Sequence, residues 1–166
     1  MCIRDRKYTG GYFITIYLAP TDYHRIHCPW DGKIIHSNHL GSSLYSVNKK
    51  AQESIPRLYI KNERSVLHIV SNSLEYALVS VGASVVGSIV PFWIDNKECF
   101  RKELVEGWKI GPPEDTKVKK GDELAYFRMG STVILIFKDS YKIDLDSLKE
   151  NKPVKFGKEL VSLKNI

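Results

Sequence analysis

The chain has 166 residues, 43% of them hydrophobic, and carries +6 from 25 Lys and Arg against 19 Asp and Glu. That apolar content suits one compact domain and excludes disordered, collagen-like and coiled-coil classes. The basic excess favours an anionic partner (nucleic acid, a phosphorylated metabolite or an acidic lipid surface) without choosing among them. Eleven Gly, seven Pro and nine Tyr favour strands and turns over a helix bundle. Cys2, Cys28 and Cys99 form no CxxC pair, which argues against a disulfide framework and for a reducing compartment. Met1–Arg6 lacks the apolar run of a secretory signal. Its charged residues lead abruptly into an apolar pattern, so the expectation is a longer chain entered midway.

In chain order, the β-branched and aromatic residues of 12–18 predict a strand ended by Ala19-Pro20. Thr21-Asp22 predicts the cap of a short helical turn over Tyr23–His27, closed by Pro29. Trp30-Asp31-Gly32-Lys33 reads as a turn into a strand over 33–36. Leu58-Tyr59-Ile60 and Ser65–Val70 flank Lys61-Asn62-Glu63-Arg64, which predicts a hairpin with a charged tip. Tyr76–Ile94 holds 19 consecutive uncharged residues, long enough to cross a bilayer. Its interruption by Gly82, Ser84, Gly87 and Pro91 predicts two buried strands around Gly82–Ser84 instead. Gly111-Pro112-Pro113 is a loop, and Val118–Leu124 a tight turn before a strand over 125–127. Gly130-Ser131-Thr132 opens Val133–Phe137, the most apolar strand. The Lys-rich tail from Ser147 is weakly patterned, with Phe156–Leu160 its packing candidate. The sum is a mainly β (α+β) fold, a single domain of antiparallel sheets with one or two short helices.

Two constellations carry chemistry. His24 and His27 lie three apart in Asp22–Cys28, and on a helical turn their rings would share a face. The spacing suits a general base pair, a metal site that recruits Cys28, or ordinary polar surface. In Gly130-Ser131-Thr132, a serine at the mouth of a buried strand is held by rigid backbone, as a nucleophile requires. The preceding glycine permits strained or positive-φ geometry that exposes its own carbonyl. The same three residues also suit a plain strand-entry turn. His36, Ser37 and His39 read as surface, His68 as a satisfied core histidine, and Lys49-Lys50 and Lys119-Lys120 as solvated charge. Glu114, Asp115, Asp122 and Glu123 read as acidic turn residues without metal spacing. No Gly-rich phosphate loop is present, and no strand alternates aromatic with basic residues as a nucleic-acid platform would.

Five stretches follow one another in order: Tyr17-Leu18-Ala19-Pro20-Thr21-Asp22-Tyr23-His24-Arg25-Ile26-His27, then Leu44–Asn48, then Asn62-Glu63-Arg64. Val81-Gly82-Ala83 with Val86–Ile89 comes next, and Lys120–Leu124 through Gly130-Ser131-Thr132-Val133-Ile134 completes the series. Taken together, these co-linear stretches resemble the phosphatidylserine decarboxylase family. The resemblance implies self-cleavage at Gly130-Ser131 into residues 1–130 and 131–166, with Ser131 converted to an N-terminal pyruvoyl cofactor. It implies His27 as the base for cleavage, His24 as the histidine of decarboxylation, and no metal. The implied substrate is phosphatidylserine, taken to phosphatidylethanolamine by a homodimer on the cytoplasmic face of a cell membrane, with no nucleic-acid partner. The family's triad also draws an aspartate from an upstream Asp-Gly segment. Asp5 does not match it, and Asp22 and Asp31 belong to other motifs. The family's hydrophobic membrane-attachment region has no counterpart either. The expectation is therefore an N-terminally truncated member that matures slowly, with a non-maturing lipid-binding remnant as the alternative.

Overall fold

Alternation along Tyr12–Tyr17 points Ile14 inward and leaves Phe13, Thr15 and Tyr17 exposed, the period-two pattern of a half-buried strand. The computed structural model describes residues 3–72, 74–84, 89–94, 112, 115–128, 130–141, 143–144, 148 and 151–163. After a 3-10 turn at Ile3–Tyr8 come β1 (Tyr12–Tyr17), β2 (Arg25–His27), β3 (Gly32–Leu40), α1 (Lys49–Ser54) and α2 (Leu58–Lys61). β4 (Arg64–Val70), β5 (Glu75–Val81), β6 (Ile89–Pro91), β7 (Thr116–Val118), β8 (Glu123–Phe127) and β9 (Thr132–Phe137) follow. β10 (Ile143–Asp144) and β11 (Ser162–Leu163) close the chain. The larger sheet has the order β1-β9-β5-β4-β3-β7, the smaller β2-β8-β6, and β10 pairs with β11. All of these strand pairs are antiparallel. The expected fold class is what forms.

The larger sheet is the middle layer. Tyr76, Leu78, Val133 and Leu135 on one face share a core with Ile26, Ile89, Leu124 and Phe127 of the smaller sheet. Val79 and Val81 on the other face pack beneath Val47 and Leu58, with Ala51 and Ile55 of the helical segment alongside. The uncharged stretch from Tyr76 is thus split between two sheets, β5 in one and β6 in the other. Among the described residues, no helix is long and apolar enough to cross a membrane.

Asn62, fully buried, ties three segments together. Its amide donates to the carbonyls of Tyr45 and Gly82, each at 2.8 Å, and its Oδ1 accepts from the Tyr45 N–H at 3.0 Å. Backbone bonds from Glu63 to Ser43 and from Gly82 to Glu63, each 2.7 Å, run beside this staple. They join three of the stretches singled out in the sequence, Leu44–Asn48, Asn62–Arg64 and Val81–Ala83.

Several sequence expectations fail for identifiable reasons. Tyr23–His27 is not helical: Arg25 and Ile26 pair with Tyr126 and Ala125, so the sheet takes the backbone bonds that a helix would need. The Asp22 carboxylate caps backwards, accepting from the Ala19 N–H at 2.7 Å. Leu58–Ile60 is not a hairpin strand but part of α2, which buries Leu58 against the sheet. Glu63 is no charged tip: it is buried and sits 3.2 Å from His39. His39 is therefore not surface, its side chain being enclosed with that carboxylate. The strand expected over 33–36 continues to Leu40 because β4 pairs along it. His68 is a core residue, as expected, with Nδ1 3.3 Å from the Tyr8 hydroxyl. Lys49, Lys50, Lys119 and Lys120 are exposed. Gly111, Pro113, Glu114, Val86–Ser88, Cys2 and Cys99 lie outside the described residues.

Asn62→Leu should lower unfolding free energy by about 3 kcal/mol, because it strands buried backbone groups of Tyr45 and Gly82. A urea titration checks this, and a change under about 0.5 kcal/mol would show that the staple is dispensable.

Candidate functional site

The ends of β1 and β5 meet the start of β9 in the larger sheet at Tyr17, Val81 and Thr132, and Arg25 of β2 and Val90 of β6 flank Tyr126 near the end of β8 in the smaller. β9 is paired on both edges. Its first residue, Thr132, faces Tyr17 of β1 and Val81 of β5. Ser131, one residue earlier, therefore falls between the ends of β1 and β5 and is 1% exposed. Its carbonyl accepts from the Leu18 N–H at 2.7 Å, and its hydroxyl donates to the Val81 carbonyl. Both bonds fix the serine from neighbouring strand ends. The hydroxyl's place is a consequence of the sheet register.

Gly130 is needed for close approach, not for a left-handed backbone. It is absent from the glycines at positive φ, which corrects that sequence expectation. A Cβ there would lie 2.6 Å from the Leu18 carbonyl oxygen and 3.0 Å from backbone atoms of Ala19 and Pro20. The Gly130-Ser131 peptide is thus pressed against the β1–β2 connection.

His24 belongs to the same region. Its carbonyl accepts from the Phe127 N–H at 2.9 Å, which places it across from the start of the β8–β9 connection. Its Nε2 is buried and makes no hydrogen bond. A buried, unsatisfied imidazole nitrogen is costly unless something else engages it.

His27 is held elsewhere. Arg25–His27 is extended strand, with a register shift between Ile26 and His27, so the helical turn that would pair the two rings does not form. The His27 Nδ1 is 2.7 Å from the Gly121 carbonyl and its Nε2 2.7 Å from the Tyr23 hydroxyl. A carbonyl can only accept, so Nδ1 carries the proton and Nε2 of the neutral ring accepts from Tyr23. The ring stacks on Tyr23 at 5.7 Å and against Phe156 at 4.5 Å. Phe156, the packing candidate of the tail, was legible; its partner was not. Neither histidine hydrogen-bonds Ser131, whose hydroxyl is engaged by Val81.

The remaining candidates take structural parts. The Cys28 thiol donates to the Trp30 carbonyl at 3.0 Å, and burial pushes its pKa up, so it is a poor thiolate ligand. Asp31 accepts from the Lys120 N–H at 2.7 Å. Asp122 does the same for the Lys119 N–H at 2.8 Å. Among the described residues no cluster of three or more His, Cys, Asp or Glu could hold a metal. Sequence reasoning missed Val81 and Leu18, whose contributions are backbone atoms and leave no signal in residue type.

A buried serine at a strand mouth, a glycine without room for a side chain and a histidine whose buried Nε2 has no hydrogen bond mark the candidate site of this two-sheet β domain. A family model described as phosphatidylserine decarboxylase matches residues 3–162, and the chain belongs to that family. A phosphatidylserine decarboxylase proenzyme of Methylobacillus flagellatus is 38% identical over 138 residues, 83% of this chain and 49% of that protein. Proenzymes of the same name from Nitrosospira multiformis and Hamiltonella defensa are 33% and 38% identical, over 94% and 88% of this chain. The chain spans about half the length of the curated relatives it matches.

Gly130→Ala should cost about 1–3 kcal/mol, because the new methyl meets backbone that cannot rotate away. A urea midpoint equal to that of the parent would show that the connection relaxes freely.

Proposed function

We propose that this chain is the catalytic portion of a phosphatidylserine decarboxylase, activated by self-cleavage between Gly130 and Ser131. The observation that carries the reading is the enclosed Ser131, whose hydroxyl and carbonyl are both fixed by neighbouring strand ends. In the proposed step the Ser131 oxygen attacks the Gly130 carbonyl, and the peptide nitrogen becomes an amine as the ester forms. Loss of the Ser131 α-proton then expels the Gly130 carboxylate. Tautomerisation and hydrolysis of the remaining residue release ammonia and leave a pyruvoyl group at position 131.

Ser131 fits that origin because it is buried, rigidly placed and first in the new chain. A pyruvoyl group supplies an electrophilic carbonyl that draws electrons from a substrate amino acid as its carboxylate leaves. This chain's residues supply the rest. His24 presents a buried nitrogen with no other hydrogen bond, suited to hold or deliver a proton beside the substrate. His27 offers a basic Nε2 in a fixed tautomer and serves cleavage once the Tyr23 hydroxyl releases it. The net charge of +6 suits an anionic lipid, and we place the working protein as a homodimer on the cytoplasmic face of a cell membrane.

A second reading is a domain of this fold that binds lipid without maturing. The contacts that hold Ser131 on Val81 and His27 on Gly121 and Tyr23 favour it, since neither aims the base at the nucleophile. Denaturing mass spectrometry separates the two readings. The decarboxylase should yield fragments of residues 1–130 and 131–166, the smaller reactive towards hydrazine reagents. Ser131→Ala should abolish both cleavage and CO2 release, having neither the nucleophile nor the leaving group. His27→Ala should slow cleavage about a hundredfold or more. His24→Ala should still cleave but lose CO2 release. A permanently intact chain would leave the non-maturing reading, and a fragment that begins with ordinary serine would mean simple proteolysis.

A further inference from the structure

The tail segment 151–159 is exposed along its whole length, yet its path is fixed. The Lys158 N–H donates to the Lys155 carbonyl at 3.1 Å, and Gly157 sits at φ +76°, a turn that a side chain would strain. This turn presents Phe156, 64% exposed, with Val154 at 47%. The Phe156 ring leans on Tyr23, itself 47% exposed, with centroids 5.0 Å apart. Lys152, Lys155 and Lys158, all exposed, alternate with these apolar residues along the segment. Lys119 and Lys120 project from the turn whose Gly121 carbonyl holds His27, the ring beneath Phe156.

The neighbouring carboxylates bond to groups other than these lysine ammonium groups. Asp22, Asp31 and Asp122 accept from the backbone N–H groups of Ala19, Lys120 and Lys119. Glu123 pairs with Arg25 at 2.6 Å. Glu159 is the single carboxylate of segment 151–159. None of the five lysines is in an ion pair among the described residues. Exposed aromatic and aliphatic side chains interleaved with unpaired lysines match an anionic bilayer interface, where rings enter the headgroup layer and lysines meet the phosphates.

We propose that Phe156, Val154 and Tyr23, with Lys152, Lys155, Lys158, Lys119 and Lys120, form the surface by which this protein docks on an anionic lipid bilayer. It rests on the lipid-decarboxylase reading for the identity of the partner, and its test does not depend on catalysis. Because Phe156 also packs on His27, the docked surface lies directly over one of the two candidate histidines.

The experiment is flotation of the full chain with phosphatidylcholine vesicles, with and without phosphatidylglycerol, an anionic lipid that is not the substrate. Binding should need the anionic lipid and weaken with salt. Lys155→Glu with Lys158→Glu should reduce partitioning by at least about twentyfold, at about fivefold per lysine near such a surface. The control, Lys49→Glu with Lys50→Glu, makes the same charge change on α1, across the larger sheet, and should lose less than about threefold. Phe156→Ser should lose roughly tenfold with no change in charge. Equal losses for the two lysine pairs would reduce the effect to net charge and overturn the proposal, as would tighter binding to an oligonucleotide than to the vesicles. Self-cleavage is read on a gel without vesicles. A chain that docks but never cleaves defeats the enzymatic reading alone, and one that cleaves but ignores both surfaces defeats only this one.

Discussion

The double pairing of β9 is the constraint on which the rest depends. A strand bonded on both edges has a fixed register, because a slip of one residue would turn Val133, Leu135 and Phe137 out of the core. That register sets where Ser131 stands relative to the last residues of β1 and β5. The serine therefore needs no special loop to be located. Its partners are backbone atoms at Leu18 and Val81, whose positions follow from the same ladder.

The strand end at Val81 is secured in turn by buried polar chemistry. Gly82 is bonded through its carbonyl to Asn62 and through its N–H to Glu63. Glu63 is enclosed against His39, so the segment after α2 is polar at its centre and cannot slide without stranding charge. Buried polar groups specify one arrangement more sharply than apolar packing does, since each alternative leaves a donor or a carboxylate without its partner. Here they lock the helical layer to the strand that holds Ser131.

Much of this was legible in the sequence, and the parts that were not share a cause. Period-two and apolar runs identified β1, β5 and β9 because burial leaves its mark on side-chain type. Lys61-Asn62-Glu63-Arg64 read as a charged tip because four polar residues in a row look solvated, and only the tertiary fold shows that Asn62 and Glu63 are internal. Tyr23–His27 read as a helical turn from Thr21-Asp22 because a cap residue signals a direction only when its partner is known. Asp22 in fact bonds to Ala19 behind it. The histidine spacing was then judged on the wrong geometry. His27 went to Gly121 and Tyr23, and His24 alone stayed by the β8–β9 connection.

The position of the candidate scissile peptide also limits what cleavage would cost the fold. The ladder bonds of β9 begin at Thr132, and Gly130 is held by contact with Leu18–Pro20. Breaking the bond between 130 and 131 therefore removes no strand pairing. A fragment starting at Ser131 would keep β9 clamped between β1 and β5, and Phe156 would keep its place on Tyr23 and His27 from across the break. Separating the fragments would require opening both edges of a central strand, which amounts to unfolding the larger sheet. A peptide bond placed just outside a doubly paired strand can be lost while the core stays closed.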